Sequence, residues 1–180
     1  MNQLSTRLTI LTSLIKQVID RLKGREGDSL APYVPSPPIV VDRMLQIAGL
    51  REGEILYDLG CGDGRIVITA ATKYGVNCVG VELDYGRYNR CLKKVRKMNL
   101  EGRVKIIHGN AMEISLRDAD VVTLYLLTKS NERIRPNLER DLKRGARVVS
   151  HDFAIPGWTP TLVEEIRELN DSHLIYLYTR

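Results

Sequence analysis

A strand-like run, Glu54–Leu59, breaks at Gly60-Cys61-Gly62-Asp63-Gly64 and gives way at once to a helix-length apolar run, Ile66–Tyr74. A second strand-like run, Asn77–Val81, then ends on Glu82. Glycines at alternate positions let a backbone turn sharply and pass close to a flat ligand. An acid about twenty residues past such glycines stands where nucleotide-binding folds grip ribose hydroxyls. Strand, glycine turn, helix and strand in that order commit this part of the chain to a parallel sheet.

The flanking segments extend the same alternation. Ala31–Pro38 carries four prolines and reads as an extended entry, because proline bars helix for the residue before it. Ser36 is placed to cap a helix starting at Pro37 or Pro38, with Val40, Val41, Met44, Leu45, Ile47 and Ala48 as its apolar face and Gly49 as its stop. A helix over Tyr85–Met98 turns Tyr88, Leu92, Val95 and Met98 inward. Strands follow at Val104–Ile107, Val121–Leu126 and Ala146–Ser150, with a helix over Asn131–Leu142 that Pro136 is placed to break and Gly145 to stop. The tail differs: Leu162–Leu169 and Leu174–Tyr178 flank the turn residues Asn170-Asp171-Ser172, which favours a hairpin. The expected architecture is α/β, a mostly parallel Rossmann-like sheet ending in a C-terminal antiparallel hairpin.

A chain of 180 residues makes one domain and an appendage. The boundary is expected at the polar stretch Gly24–Leu30, giving an N-terminal helix and linker over residues 1–30 and a domain over residues 31–180. Leu4, Leu8, Leu11, Ile15, Val18 and Leu22 form the apolar stripe of an amphipathic helix too short in apolar run to cross a bilayer. Residues 4–22 leave three roles open: packing on the domain or on a second copy, lying on a membrane surface, or targeting. Asp20, Glu26 and Asp28 argue against the last. Cys61, Cys78 and Cys91 match neither a disulfide framework nor a metal pattern, so no metal is expected and a reducing cytoplasmic setting is, with peripheral membrane attachment left open. A net charge of +5 is no nucleic-acid signature by itself; nucleic acid is expected only indirectly, through substrates that bind it.

The loop also restricts its ligand. A dinucleotide site wants glycine at the sixth position of the motif, and here that residue is Arg65. No Gly-Lys-Ser/Thr follows, so it is not a phosphate-cradling loop. Asp58 and Asp63 would repel a pyrophosphate and suit a cationic group. A ligand with a ribose, a positive end and no phosphate is required, and S-adenosylmethionine meets that description.

On these residues the chain resembles the class I S-adenosylmethionine-dependent methyltransferases. Asp58-Leu59-Gly60-Cys61-Gly62-Asp63-Gly64 is similar to their first motif, Glu82 to their ribose acid, and Gly109-Asn110-Ala111 to the segment framing adenine. A narrower resemblance rests on Pro32–Pro37, Tyr57–Ile66, Leu126-Leu127-Thr128, Val148–Phe153 and Gly157-Trp158. These recur in the archaeal broad-specificity protein lysine methyltransferases, which are related to the mitochondrial enzymes that methylate a lysine of the ATP synthase c-ring or of the adenine nucleotide translocase. The resemblance implies S-adenosylmethionine as cofactor, protein substrates with exposed lysines, and cofactor contacts from Asp58, Gly60, Gly62, Glu82, Asn110 and Ala111.

Methyl transfer to lysine needs a neutral amine, in-line alignment and a dry approach. Tyr125, Asp152 and Trp158 follow the fourth and fifth strands, at the strand ends where open α/β sheets bind ligands, and are the catalytic candidates. Each has a plainer role open: Tyr125 in the core, Asp152 as a structural group, Trp158 packing the hairpin against the sheet. Tyr33 and Ser36 are expected either to close over the methionine end of the cofactor or only to lead into the first helix. Leu124-Tyr125-Leu126-Leu127 lacks the Asn/Asp-Pro-Pro-aromatic signature of adenine methylation, which argues against a nucleic-acid base as acceptor. Small-molecule or RNA methylation, and cofactor binding without catalysis, remain the alternatives.

Overall fold

The computed structural model describes residues 33–168 and 171–180. The expected N-terminal helix and linker lie outside the described residues. Pro35–Arg180 forms one compact unit.

The first helix, α1 (Pro38–Ala48), buries Val40, Val41, Met44, Leu45 and Ala48, and Gly49 closes it in the left-handed conformation at φ 58°. Its cap differs from expectation. Pro37 holds the cap position with no side-chain hydrogen bond, and Ser36 is engaged elsewhere. Strand β1 (Ile55–Leu59) leads through the glycine loop into α2 (Arg65–Tyr74), followed by β2 (Asn77–Glu82). Helix α3 (Tyr85–Lys97) begins at Asp84, whose carboxylate accepts the Arg87 N–H at 2.7 Å. Cys91 and Val95 are its buried residues, while Met98, expected inside, is 48% exposed because the helix has already ended.

Strand β3 (Val104–His108) and a single 3-10 turn (Ala111–Glu113) precede β4 (Val121–Leu124), which is buried at every residue, as a central parallel strand must be. Helix α4 (Thr128–Asp141) runs unbroken through Pro136. Glu132 and Pro136 are both exposed, so the carbonyl that the proline leaves without a partner faces water. Strands β5 (Arg147–His151), β6 (Leu162–Glu168) and β7 (Asp171–Thr179) complete the fold.

The sheet order is β3-β2-β1-β4-β5-β7-β6. The first five strands are parallel; β7 runs antiparallel to both β5 and β6, so the expected hairpin is present. Chain order reverses between β1 and β4, which opens a crevice at their carboxyl ends. The glycine loop leaves β1 there and Tyr125 leaves β4 there. Among the described residues no helix is long and apolar enough to cross a membrane.

Candidate active site

Gly60, Gly62 and Gly64 all adopt positive φ, at 84°, 56° and 80°. The Gly60 and Cys61 N–H groups both donate to the Val81 carbonyl at 2.9 Å, binding the loop to the end of β2. Gly64 is closed to any side chain: a Cβ there would stand 2.2 Å from Cys91 Sγ on α3. At Gly60 a Cβ would press on Leu126 at 3.3 Å, narrowing the crevice where a ligand must lie.

Glu82 is buried at the carboxyl end of β2. Its Oε2 accepts the Gly62 N–H at 2.8 Å; its Oε1 accepts the Asp84 N–H at 2.8 Å and faces Arg87 Nη2 at 3.0 Å. The carboxylate is thus fixed beside the loop, with its rotamer set by three neighbours, which is the rigidity a ligand-gripping acid needs.

The two loop acids occupy opposite environments. Asp58 is 3% exposed, accepts from the Thr123 hydroxyl at 2.8 Å, and is pushed up to about 7, first by burial and then by the charges of Glu82 and Asp63. Asp63 does not present a free carboxylate. Arg65 Nε holds it at 2.9 Å and Lys94 Nζ at 2.8 Å. Burial alone would raise Asp63, but those two cations outweigh it and bring it down to about 2. Arg65, the residue that excluded a dinucleotide, also donates to the Ser36 carbonyl at 2.5 Å and so ties the entry to α1 onto the loop. A buried acid in want of a cation, beside a second fixed carboxylate on an open glycine turn, fits a ligand with an ammonium end and ribose hydroxyls.

Asn110 caps the 3-10 turn, its Oδ1 accepting the Met112 N–H at 3.0 Å, and Ala111 is buried behind it. Gly109 N–H donates to the Glu82 carbonyl at 3.1 Å, so this segment borders the glycine loop. Tyr85, Tyr88 and His108 gather in the same region, with ring centroids 5.3–6.1 Å apart. Sequence reasoning passed over this aromatic group; its only signal was the pair Tyr85 and Tyr88 just after Glu82.

On the other side of the crevice a polar cluster forms around His151. Its ring lies 3.8 Å from that of Tyr125. Tyr125 Oη donates to Asp152 Oδ2 at 3.3 Å, and burial, then the charge of Asp152, raises the phenol above its ordinary range. His151 is fully buried and pushed down to about 4, by burial and then by His173, against the pull of Asp152. Its Nδ1 is hydrogen-bonded to Ser36 Oγ at 2.9 Å, which is why Ser36 caps no helix. Asp152 adopts φ 57°, and its Oδ1 accepts the Leu174 N–H at 2.9 Å. His173, on β7, was not singled out from sequence, since nothing in its spacing links it to His151.

One expected site residue stands apart from this group. Trp158 donates its indole N–H to Glu139 at 2.9 Å, in the last turn of α4, and packs edge-on against Tyr178 at 5.6 Å. Tyr178 lies opposite Val148, near the start of β5. The indole therefore sits toward the amino ends of the parallel strands, away from the crevice, because the chain after β5 runs back down the sheet. These contacts give Trp158 the plainer of its two expected roles, packing the hairpin against the sheet. Tyr33 is 44% exposed and belongs to the unit that ends at Val34.

Comparison with known proteins agrees with this geometry. The family described as ANTKMT methyltransferase domain matches residues 58–162. A protein-lysine N-methyltransferase of Saccharolobus islandicus is 49% identical over 148 residues, covering 82% of this chain and 92% of that protein. The adenine nucleotide translocase lysine N-methyltransferase of Mus musculus is 32% identical over 73% of this chain; the match spans 57% of the mouse protein. A crystal structure of an RNA methyltransferase from Salinibacter ruber, in complex with S-adenosyl-L-homocysteine, superposes with a TM-score of 0.76 at 40% identity, covering 81% of this chain and 93% of that one.

Proposed function

The chain belongs to the ANTKMT methyltransferase domain family of class I S-adenosylmethionine-dependent methyltransferases, and from that premise we propose that it methylates lysine side chains of proteins. The observation that carries the acceptor is the 49% identity to a protein-lysine N-methyltransferase along 92% of that protein's length. Among the described residues the connections from strand to helix at the crevice are short, which suits an acceptor that protrudes from a folded protein.

S-adenosylmethionine, when bound, would supply an electrophilic methyl on its sulfonium, which a neutral amine takes in line as the C–S bond breaks and the thioether leaves. The chain's own residues bind and orient. The fixed Glu82 carboxylate would accept hydrogen bonds from the ribose hydroxyls, and Asp58 would meet the ammonium end, whose charge favours its ionised form. Gly60 and Gly62 keep the loop backbone close to the ligand, and Asn110 with Ala111 frames the adenine.

On the acceptor side, the Asp152 carboxylate draws the lysine ammonium, and the half-buried Tyr125 ring lowers the local dielectric so that the ammonium gives up its proton to solvent before attack. Ser36 acts through His151, holding the ring against which Tyr125 packs. Protein substrates with exposed lysines are the partners, and a cytoplasmic setting, supported by three buried thiols, is part of the proposal.

RNA is the competing acceptor, because the Salinibacter protein carries that description. Incubation with methyl-labelled S-adenosylmethionine and a cell extract separates the two. Label on lysines, read by tandem mass spectrometry of tryptic peptides, is the expected result. Label confined to RNA or to small metabolites overturns the lysine reading and leaves the cofactor site standing.

A further inference from the structure

The chain has three histidines, and two of them meet beside one carboxylate. His151 Nε2, His173 Nδ1 and Asp152 Oδ2 form a triangle with sides of 3.1, 3.2 and 3.3 Å. Zinc bonds to histidine nitrogen and carboxylate oxygen run about 2.0–2.2 Å, and the edge of a tetrahedron with such arms is about 3.3 Å. The three atoms are therefore spaced as three ligands of one ion.

The surroundings are built for the same purpose. Neighbouring residues on a strand point to opposite faces, yet the left-handed φ of 57° at Asp152 turns its carboxylate back to the side of His151. His173 reaches that side from β7, two residues before Ile175, the partner of His151 across the sheet. The remaining valences are satisfied from outside the triangle. Ser36 Oγ meets His151 Nδ1 at 2.9 Å, the outer contact that fixes the tautomer of a ligating imidazole. Leu174 N–H occupies Asp152 Oδ1 at 2.9 Å, and Tyr125 Oη takes one lone pair of Oδ2 at 3.3 Å, leaving the other to the triangle. In the tautomer that directs the Nδ1 proton at Ser36, His151 Nε2 presents a lone pair to the triangle, and a cation satisfies all three corners at once. The side chains of Asp152 and His173 are 26% and 15% exposed, so an ion can enter past them to the fully buried His151.

The geometry points to a mononuclear divalent transition-metal site formed by His151, Asp152 and His173, with the donor set of a Zn2+ centre that keeps one coordination position open. This goes beyond the methyl-transfer reading, and with an ion on Asp152 Oδ2 that carboxylate no longer draws the lysine ammonium, so the two roles of Asp152 exclude each other.

The test uses full-length protein stripped with a chelator. Zn2+ is titrated in competition with a chromophoric chelator, and Co2+ is titrated as a spectroscopic probe. One equivalent of Zn2+ is expected, and Co2+ should give visible d–d bands without a thiolate charge-transfer band, which excludes Cys61, Cys78 and Cys91 as ligands. His173→Ala and Asp152→Ala should each lower Zn2+ affinity at least about 100-fold. His108→Ala, which removes the third histidine, should leave it unchanged. Cooperative melting and wild-type S-adenosylhomocysteine affinity in His173→Ala would show that the loss is not unfolding. Equal Zn2+ affinity in wild type and His173→Ala, or a thiolate band, overturns the proposal and leaves the triangle as a hydrogen-bonded brace.

Discussion

Asp58 shows how one residue links stability to ligand binding. Folded, it holds its proton up to about 7, against an ordinary 3.8. The folded state therefore binds that proton more tightly than the unfolded chain. Its contribution to stability is full below about pH 4 and is lost as pH rises through about 7. Asp58→Asn should melt above the wild-type apoprotein near pH 8, by at most about 4 kcal/mol, and match it near pH 4. The same variant should bind S-adenosylhomocysteine at least about tenfold more weakly near pH 8, having lost the charge that meets the ammonium. Calorimetric melting and titration across that range read both effects. Tyr125→Phe removes only the hydroxyl that donates to Asp152. It should lower kcat several-fold, about 1 kcal/mol, with cofactor affinity unchanged. The asymmetry between Asp58 and Asp63 was invisible in sequence, where both read as free acids, because Lys94 reaches Asp63 across 31 residues from another helix.

At the scale of elements, the glycine loop is where local sequence spoke most plainly. Gly64 ends the loop, starts α2 and lets α3 approach. Gly64→Ala should destabilise by about 2–4 kcal/mol, from strain at φ 80° and the clash with Cys91. Adding Cys91→Ala should restore only part of that loss, since the backbone strain remains; chemical denaturation of both variants checks this. Helix α4 gives the opposite case. Its exposed Pro136 costs a hydrogen bond the helix survives without, so Pro136→Ala should stabilise by about 1 kcal/mol or more. Strands and helices were legible because their apolar periodicities are local, and the hairpin because a polar break separates its two runs, although Asp171 and Ser172, expected in the turn, already pair within β7. Ser36 was misassigned as a cap, since its partner lies 115 residues away. For Trp158 both a site role and a packing role stayed open, because nearness in sequence to the end of β5 says nothing about which way the next loop runs.

For the whole molecule, the sheet order gathers separate segments at one crevice: the glycine loop from β1, Glu82 from β2, Asn110 after β3, Tyr125 after β4, and His151 with Asp152 at the end of β5. Asp58, the glycines and Glu82 could be grouped from sequence because they lie within one strand-turn-helix-strand unit, whereas Asn110 and Ala111 after β3 rested on the resemblance. Tyr125 and Asp152 were named from their places after strands, but His173 was not, because it joins them only through the antiparallel return of β7. Since Pro35–Arg180 is compact by itself, removal of residues 1–28 should leave a cooperative melting transition and methyl transfer intact; calorimetry and the labelling assay on the truncated chain check this. Everything else rests on Glu82 and the glycine loop building one S-adenosylmethionine site. Isothermal titration of S-adenosylhomocysteine into wild type and Glu82→Ala decides whether they do. One site in the wild type and a loss of about 1–3 kcal/mol in the variant are expected. No heat in the wild type, or equal affinity in both proteins, would refute it.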